Sequence, residues 1–166
     1  MTSSSERTPR LPPRWFIRLA WKAHRGLYRV TGGRRGLWPE REGKWGTMRV
    51  TTVGRRTGEP RSVILAYLED GPDLVTLAMN GWGEGDPAWW LNLRAEPRAT
   101  VRLPDGERDV VAHAATGAER ERLWERYRAV DKDLDAYAAR RSTETPVVVL
   151  TPARSASSNG TRTSAT

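Results

Sequence analysis

A short basic turn between two apolar segments is the part of this sequence best suited to bind a charged ligand. The segment TTVGRRTGEPRS, residues 51–62, holds three arginines and two glycines within a few positions. Arginine side chains present forked N–H donors that match phosphate and carboxylate oxygens. Gly54 and Gly58 allow a tight turn, in which successive backbone N–H groups can form an anion-binding nest. The segment therefore predicts an anion site, and the alternative is a hairpin end whose arginines are only hydrated.

No other motif in the chain supplies a familiar catalytic group. The turn is not a nucleotide-binding P-loop, because its glycines are too close together and no Lys-Ser or Lys-Thr pair follows. GWGEG at 81–85 lacks the dinucleotide-binding spacing, and no serine lies in a nucleophile elbow. The chain has no cysteine and only two distant histidines, so we predict no metal site. An enzyme with this sequence needs a cofactor to carry its reaction.

The positive charge of the chain is concentrated near its N-terminus. The 166 residues carry a formal net charge of +8, but residues 1–62 hold 15 Lys and Arg against 4 Asp and Glu, a local +11. Such surfaces attract nucleic acid, anionic lipid or phosphorylated ligands. No apolar run approaches the roughly 20 residues of a membrane span, and the start lacks signal-peptide features. We therefore expect a cytoplasmic protein.

The segment RWFIRLAWKAHRGLYRV, residues 14–30, predicts a basic amphipathic helix after a flexible leader at 1–13 and before a Gly-rich linker that ends at residue 36. At 3.6 residues per turn its cations form one stripe, opposite an apolar face. Two interpretations remain open. The helix either packs its apolar face on the domain, or lies on an anionic membrane surface at the inner face of the cell membrane, anchored by Trp15 and Trp21.

Residues 37–151 predict a small, mainly β domain with flanking helices. Stretches rich in β-branched residues predict strands at 47–53, 61–68, 73–79, 98–103, 107–114 and 145–150. A short helix at 86–97 is expected to begin with Asp86 as N-cap and Pro87 at its first position. A charged helix at 116–130 follows. The sum predicts an α+β fold built on a closed barrel, followed by a disordered tail at 152–166.

Two segments together resemble a known family. TTVGRRTGEPRSVILAYLEDG and AMNGWGEGDPAWWLNLRAEPRATV are similar to the deazaflavin (coenzyme F420)-dependent nitroreductase and quinone reductase family, a group of actinobacterial reductases. The resemblance covers residues 51–149 and combines a G-R-[RK]-T-G-x-P-R turn with a P-x-W-[YW]-L-N-L-x-A-x-P helix. It implies a split β-barrel of the FMN-binding-like type and coenzyme F420 as cofactor. The implied reaction transfers a hydride from the reduced deazaflavin to an electron-poor small molecule, a quinone or a nitro compound.

The resemblance also implies which residues bind the cofactor. Arg55, Arg56 and Thr57 match the turn that holds its phosphate and acidic tail. Three further stretches match the strand along the deazaflavin, the segment under its ring system and the helix that closes the pocket: Arg61, Ser62, Val63, Ile64, Leu65 and Ala66; Leu77, Ala78, Met79 and Asn80; Ala88, Trp89, Trp90, Leu91 and Asn92. For the two tryptophans, ordinary core packing is the alternative.

Tyr137 is the catalytic candidate. Some nitro-reducing members carry several tyrosines on a C-terminal helix, whereas VDKDLDAYAARR keeps only Tyr137, with Asp131 and Leu134 at the other positions. Asn80 also stands where some relatives have a lysine. These departures favour a quinone over a nitro compound as the natural acceptor, by family analogy.

Other classes of function remain open. The chain is alternatively a deazaflavin-binding or carrier protein without turnover, or an FMN-binding oxidoreductase with the same barrel. A nucleic-acid binder is disfavoured, because no binding motif is present and the tryptophans are not interleaved with the basic turn. We therefore predict a small-molecule electron acceptor and no nucleic-acid partner, and the oligomeric state stays open.

Overall fold

Six antiparallel strands form a closed barrel in the computed structural model, which describes residues 36–153. The strands are β1 (Gly46–Val53), β2 (Pro60–Asp70), β3 (Asp73–Leu77), β4 (Arg98–Leu103), β5 (Gly106–Ala114) and β6 (Val147–Pro152). Their order around the barrel is β1-β2-β3-β6-β5-β4, and β4 pairs back with β1. Each strand boundary lies within two residues of the predicted one. The predicted leader, the basic helix and the tail beyond residue 153 lie outside the described residues.

The barrel interior is filled by alternate residues of the strands, as the two-residue period of a β-strand requires. In β1 the side chains of Met48 and Val50 are fully buried, and they lie in one cluster with Val101 of β4. Helix α1 (Ala88–Ala95) adds Trp90 and Leu93 to this cluster. The helix is therefore anchored to the barrel through its apolar side chains.

The outer face of β3 and β6 is covered by two further helices, α2 (Gly117–Val130) and α3 (Leu134–Ala138). Leu123, Trp124 and Tyr127 of α2 are buried and pack in a second cluster with Val75 of β3. The Tyr127 hydroxyl donates to the Val75 carbonyl oxygen over 2.7 Å. Burial raises the pKa of Tyr127, so the phenol remains a protonated donor. None of the helices within residues 36–153 has the length and apolar character needed to cross a membrane.

The connection between β3 and α1 differs from the prediction. Helix α1 begins at Ala88 with Pro87 as its N-cap, and no side chain caps it, so the expectation of Asp86 as N-cap is wrong. The Asp86 carboxylate instead accepts a hydrogen bond from Arg141 over 3.2 Å. A 3-10 turn at Asn80–Trp82 and helix α3 were not predicted, because three and five residues are too few to show a helical period.

Candidate functional site

The basic turn predicted from the sequence connects β1 to β2 and is closed by its own backbone. The N–H of Gly54 donates to the Glu59 carbonyl oxygen over 2.8 Å. A Cβ added at Gly54 would lie 2.9 Å from that oxygen, so the close approach requires glycine. Gly58 has a φ of +70°, which favours glycine for a different reason. The two glycines therefore set the turn that carries Arg55 and Arg56.

The backbone of this turn is not the open anion nest that the sequence suggested. The N–H groups of Thr57 and Gly58 both donate to the Gly54 carbonyl oxygen, and the N–H of Glu59 donates to the Thr57 hydroxyl. Among the backbone N–H groups of the turn, only that of Arg56 has no acceptor within residues 36–153. The expectation of several free N–H groups is therefore wrong, and the turn offers an anion chiefly its guanidinium groups.

Helix α1 is tied to the turn through the side-chain amide of Asn92, which is 5% exposed. Its Oδ1 accepts two hydrogen bonds from Arg55, one from the backbone N–H and one from Nη1, both over 3.2 Å. Its Nδ2 donates to the Thr52 hydroxyl over 3.1 Å. One amide thus holds the end of β1, the basic turn and the helix in a fixed arrangement.

A pocket of about 380 Å³ opens where the turn faces helix α1. Its lining residues come from the turn, the start of β2 and the first turns of the helix: Gly54, Arg55, Arg56, Thr57, Arg61, Ser62, Val63, Ala88, Trp89 and Asn92. All of them except Gly54 are among the residues predicted to bind the cofactor. The two sequence motifs that carried the family resemblance therefore meet in one pocket.

The three arginines of this pocket have different electrostatic surroundings. Arg61 is paired with its neighbour Glu59, with 2.9 Å between Nη2 and Oε2. Arg55 is held by the neutral amide of Asn92, which orients the guanidinium without cancelling its charge. Arg56 is exposed and makes no hydrogen bond or ion pair with any residue in the described range. The pocket therefore presents two uncompensated positive charges and one compensated one.

The other residues predicted to bind the cofactor lie outside the lining of this pocket. Ile64, Leu77, Ala78 and Trp90 are buried, and Trp90 packs in the barrel interior. The rest are partly or fully exposed: Leu65, Ala66, Met79, Asn80 and Leu91. Contact of any of these residues with the cofactor stays a prediction.

Tyr137 lies on helix α3 and faces the loop between β3 and α1. Its ring stacks on Trp82 at a centroid distance of 5.9 Å and an interplanar angle of 25°, and the Arg140 guanidinium lies 5.7 Å from the ring centroid. Tyr137 is not among the residues that line the pocket. Its catalytic role stays a prediction, and its position assigns it to the loop rather than to the basic turn.

That loop is held by residues that the sequence did not single out. Asn80, Gly81 and Trp82 have φ angles of 44°, 62° and 60°, a backbone region that non-glycine residues rarely adopt without support. The Arg141 side chain is fully buried and donates to the carbonyl oxygens of Ala78 and Gly85, at the two ends of the loop. Arg141 is next to Arg140, which is exposed, and no local sequence pattern distinguishes the buried arginine from the exposed one.

A second contact reinforces the same loop. The Ser142 N–H and hydroxyl donate to the two carboxylate oxygens of Glu84, over 2.9 and 2.8 Å. These hydrogen bonds hold the pKa of Glu84 below its usual range. The segment after α3 therefore fixes the chain immediately before helix α1, whose first residues line the pocket.

Comparison with known proteins decides the family of this chain. A model of the F420H(2)-dependent quinone reductase family matches residues 21–152, more than half of the sequence. The chain belongs to that family. Its cofactor is coenzyme F420, as the sequence resemblance implied, and the family supports an F420-dependent reductase activity.

Individual relatives agree with this placement. An F420H(2)-dependent quinone reductase of Mycobacterium tuberculosis is 29% identical over 133 residues, which cover 78% of this chain and 88% of the relative. A solved F420-H2 dependent reductase, FDR-A, matches with a TM-score of 0.57 and 26% identity, covering 63% of this chain and 92% of its own.

A further solved structure supports the fold alone. A chain described as a domain-swapped dimer matches with a TM-score of 0.61 and 24% identity, covering 84% of this chain and 99% of its own. With the closed barrel described above, these matches confirm the predicted split β-barrel of the FMN-binding-like type.

Proposed function

We propose that the protein transfers a hydride from reduced coenzyme F420 to a small electron-poor acceptor, a quinone in the first instance. The observation that carries the proposal is the pocket in which the basic turn meets helix α1. Arg56 offers this pocket an uncompensated cation, and Arg55 offers a second one that Asn92 holds in place. A small basic pocket of this kind suits a ligand that ends in phosphate and carboxylate groups.

The residues present fit the anionic end of coenzyme F420. Arg55, Arg56 and Arg61 would bind its phosphate and oligoglutamate tail, because forked N–H donors pair with such oxygens more specifically than an ammonium group does. Trp89 would provide an apolar wall that keeps water away from the reacting atoms. When bound, the reduced deazaflavin supplies the hydride, and the protein positions it.

Turnover separates this proposal from a carrier protein that only binds the deazaflavin. Reduced coenzyme F420 should be oxidised, which changes its absorbance over time, only when the enzyme and a quinone such as menadione are both present. Replacing menadione with a nitroaromatic compound tests the second acceptor class. Fluorescence titration with FMN tests the alternative flavin cofactor. Binding of coenzyme F420 with no oxidation by any quinone would favour the carrier.

Arg56→Ala tests whether the turn holds the cofactor. A charge-assisted hydrogen bond contributes about 1.5–3 kcal/mol, so its loss should weaken cofactor binding about tenfold or more. Because Arg56 is exposed and has no partner in the described range, the melting temperature should stay nearly unchanged. The measurement is a fluorescence titration of both proteins at low and high salt.

Arg108→Ala is the matched control for this substitution, since Arg108 pairs with Asp105 beside the β4–β5 turn, at the opposite end of the barrel. Arg108→Ala also removes one positive charge, but at a site far from the pocket. Its cofactor affinity should equal that of the parent protein. Equal affinities of Arg56→Ala and Arg108→Ala at low salt would contradict a role of the turn in cofactor binding.

A peripheral association with anionic membranes is a second proposal, and one surface feature favours it. Trp38 and Trp45 are 46% and 40% exposed, and the short hairpin between them carries two cations and two carboxylates, Arg41 and Lys44 with Glu40 and Glu42. Exposed tryptophans are typical of membrane–water interfaces. Deleting residues 1–30 should reduce sedimentation with anionic liposomes, and full-length protein that ignores such liposomes at low salt would contradict the proposal.

A further inference from the structure

We infer that Asn92 is a positioning residue whose neutral side-chain amide aims the Arg55 guanidinium at the anionic part of the ligand. This inference rests on the proposed function, because it assumes a ligand with phosphate or carboxylate groups in the pocket. It concerns a contact within the protein, between helix α1 and the basic turn, rather than a contact between Asn92 and the ligand.

The hydrogen bonds of the Asn92 side chain carry the inference. Both accepting positions of Oδ1 are used by Arg55, through its backbone N–H and its Nη1. On the other side, Nδ2 donates to the Thr52 hydroxyl, which in turn donates to the Arg61 carbonyl oxygen over 3.3 Å. An amide that is almost completely buried and bonded on both sides has little capacity left for a ligand. Its function is therefore to orient its neighbours.

The neutrality of the amide distinguishes Arg55 from the other bound arginine of the pocket. Arg61 is held by the carboxylate of Glu59, so its attraction for a further anion is weakened by the charge next to it. Asn92 fixes Arg55 with a carbonyl oxygen instead, and the full positive charge remains available to a ligand. An oriented guanidinium also loses less side-chain freedom on binding than a free one does.

Asn92→Asp tests this arrangement, because it keeps an acceptor for Arg55 and adds the charge that the inference says must be absent. The probes are coenzyme F420, a deazaflavin that lacks the phosphate and glutamates, and inorganic phosphate, each titrated by fluorescence or by thermal protection. We expect Asn92→Asp to weaken coenzyme F420 binding about tenfold at low salt and less at high salt. Binding of the deazaflavin without the anionic groups should change less than about twofold.

The coupling between Asn92 and Arg55 provides a readout that a merely structural role would not move. Asn92→Ala removes the orienting acceptor without adding a charge, so it should weaken coenzyme F420 binding in the parent protein but cost less than about twofold in an Arg55→Ala background, where the guanidinium that Asn92 orients is already gone. Equal losses in both backgrounds would overturn the inference, and so would an equal loss for the deazaflavin without anionic groups.

Arg55→Lys keeps the test decisive if substitution of the buried amide impairs folding. The lysine retains the charge and the backbone N–H bond to Asn92, but it has no guanidinium fork for Oδ1 to orient. We expect it to lose most of the affinity that Arg55→Ala loses, and full retention of affinity would overturn the inference. A parent protein that binds phosphate but not coenzyme F420 would contradict the proposed function, while the same variants, titrated with phosphate, would still decide the role of Asn92.

Discussion

Replacing Arg141 with methionine should destabilise the protein more than any other single loss of an arginine discussed above. The Arg141 side chain is fully buried and makes four hydrogen bonds, to the carbonyl oxygens of Ala78 and Gly85, the Thr145 hydroxyl and the Asp86 carboxylate. Methionine matches its length and none of these donors. The substitution would therefore leave several acceptors in and around the β3–α1 loop without a partner.

The magnitude follows from the surroundings of Asp86. Removing one partner of a buried ion pair costs about 3–5 kcal/mol. Asp86 is 23% exposed, and Arg94 lies 3.7 Å from its other oxygen, so water and that cation recover part of the loss. The Nε of Arg141 is itself buried without a partner in the described range, and its removal recovers a little more. We therefore expect a loss of about 3 kcal/mol, which lowers the melting temperature by about 10 °C.

Thermal and urea unfolding, followed by circular dichroism, measure this loss, and Arg94→Met is the control. Arg94 contacts the same carboxylate from solvent and its side chain is 60% exposed. An exposed ion pair contributes at most about 1 kcal/mol, so the control should unfold nearly as the parent does. If Arg141→Met were as mild as Arg94→Met, the buried guanidinium would not be what holds the loop. Cofactor affinity should also fall in Arg141→Met, because the loop precedes the helix that lines the pocket.

Two further predictions concern charges on the surface. Glu59→Gln removes the carboxylate paired with Arg61, so it should strengthen coenzyme F420 binding a few-fold at low salt, measured by fluorescence titration; weaker binding would show that Glu59 supports the pocket. The hydrogen bonds from Arg122 to Asp70 lower the pKa of Asp70 from its ordinary value of 3.8. The stability that the ionised Asp70 contributes is therefore fully present above pH 3.8 and is lost as the pH falls through the lower pKa of the folded state. Urea unfolding between pH 5 and about pH 2 should show this loss, and Asp70→Asn should make the profile flatter. An unchanged profile in Asp70→Asn would assign the acid sensitivity to other carboxylates.

The strands, the turn and the family were predictable because each depends on residues close in sequence. Stretches rich in β-branched residues predicted the six strands to within two residues of their observed bounds. Gly54 and Gly58 marked the turn, because a close backbone approach and a positive φ favour glycine in any fold. Each of the two segments that carry the family resemblance is continuous in sequence, and the match to the family model confirms the resemblance. Local conformational preference and contiguous motifs were sufficient for these conclusions.

The electrostatic character of the pocket depended on contacts across the fold. The sequence shows Arg55, Arg56 and Arg61 as three equivalent cations in one turn. Asn92 reaches this turn from 37 residues away in sequence, and it is the packing of helix α1 on the barrel that brings its amide to Arg55. Burial likewise separates Arg141 from Arg140, although the two are adjacent and of the same type. Composition and spacing determine which residues can bind an anion. Which of those charges remain available is decided by hydrogen bonds and burial between distant parts of the chain, which only the tertiary structure creates.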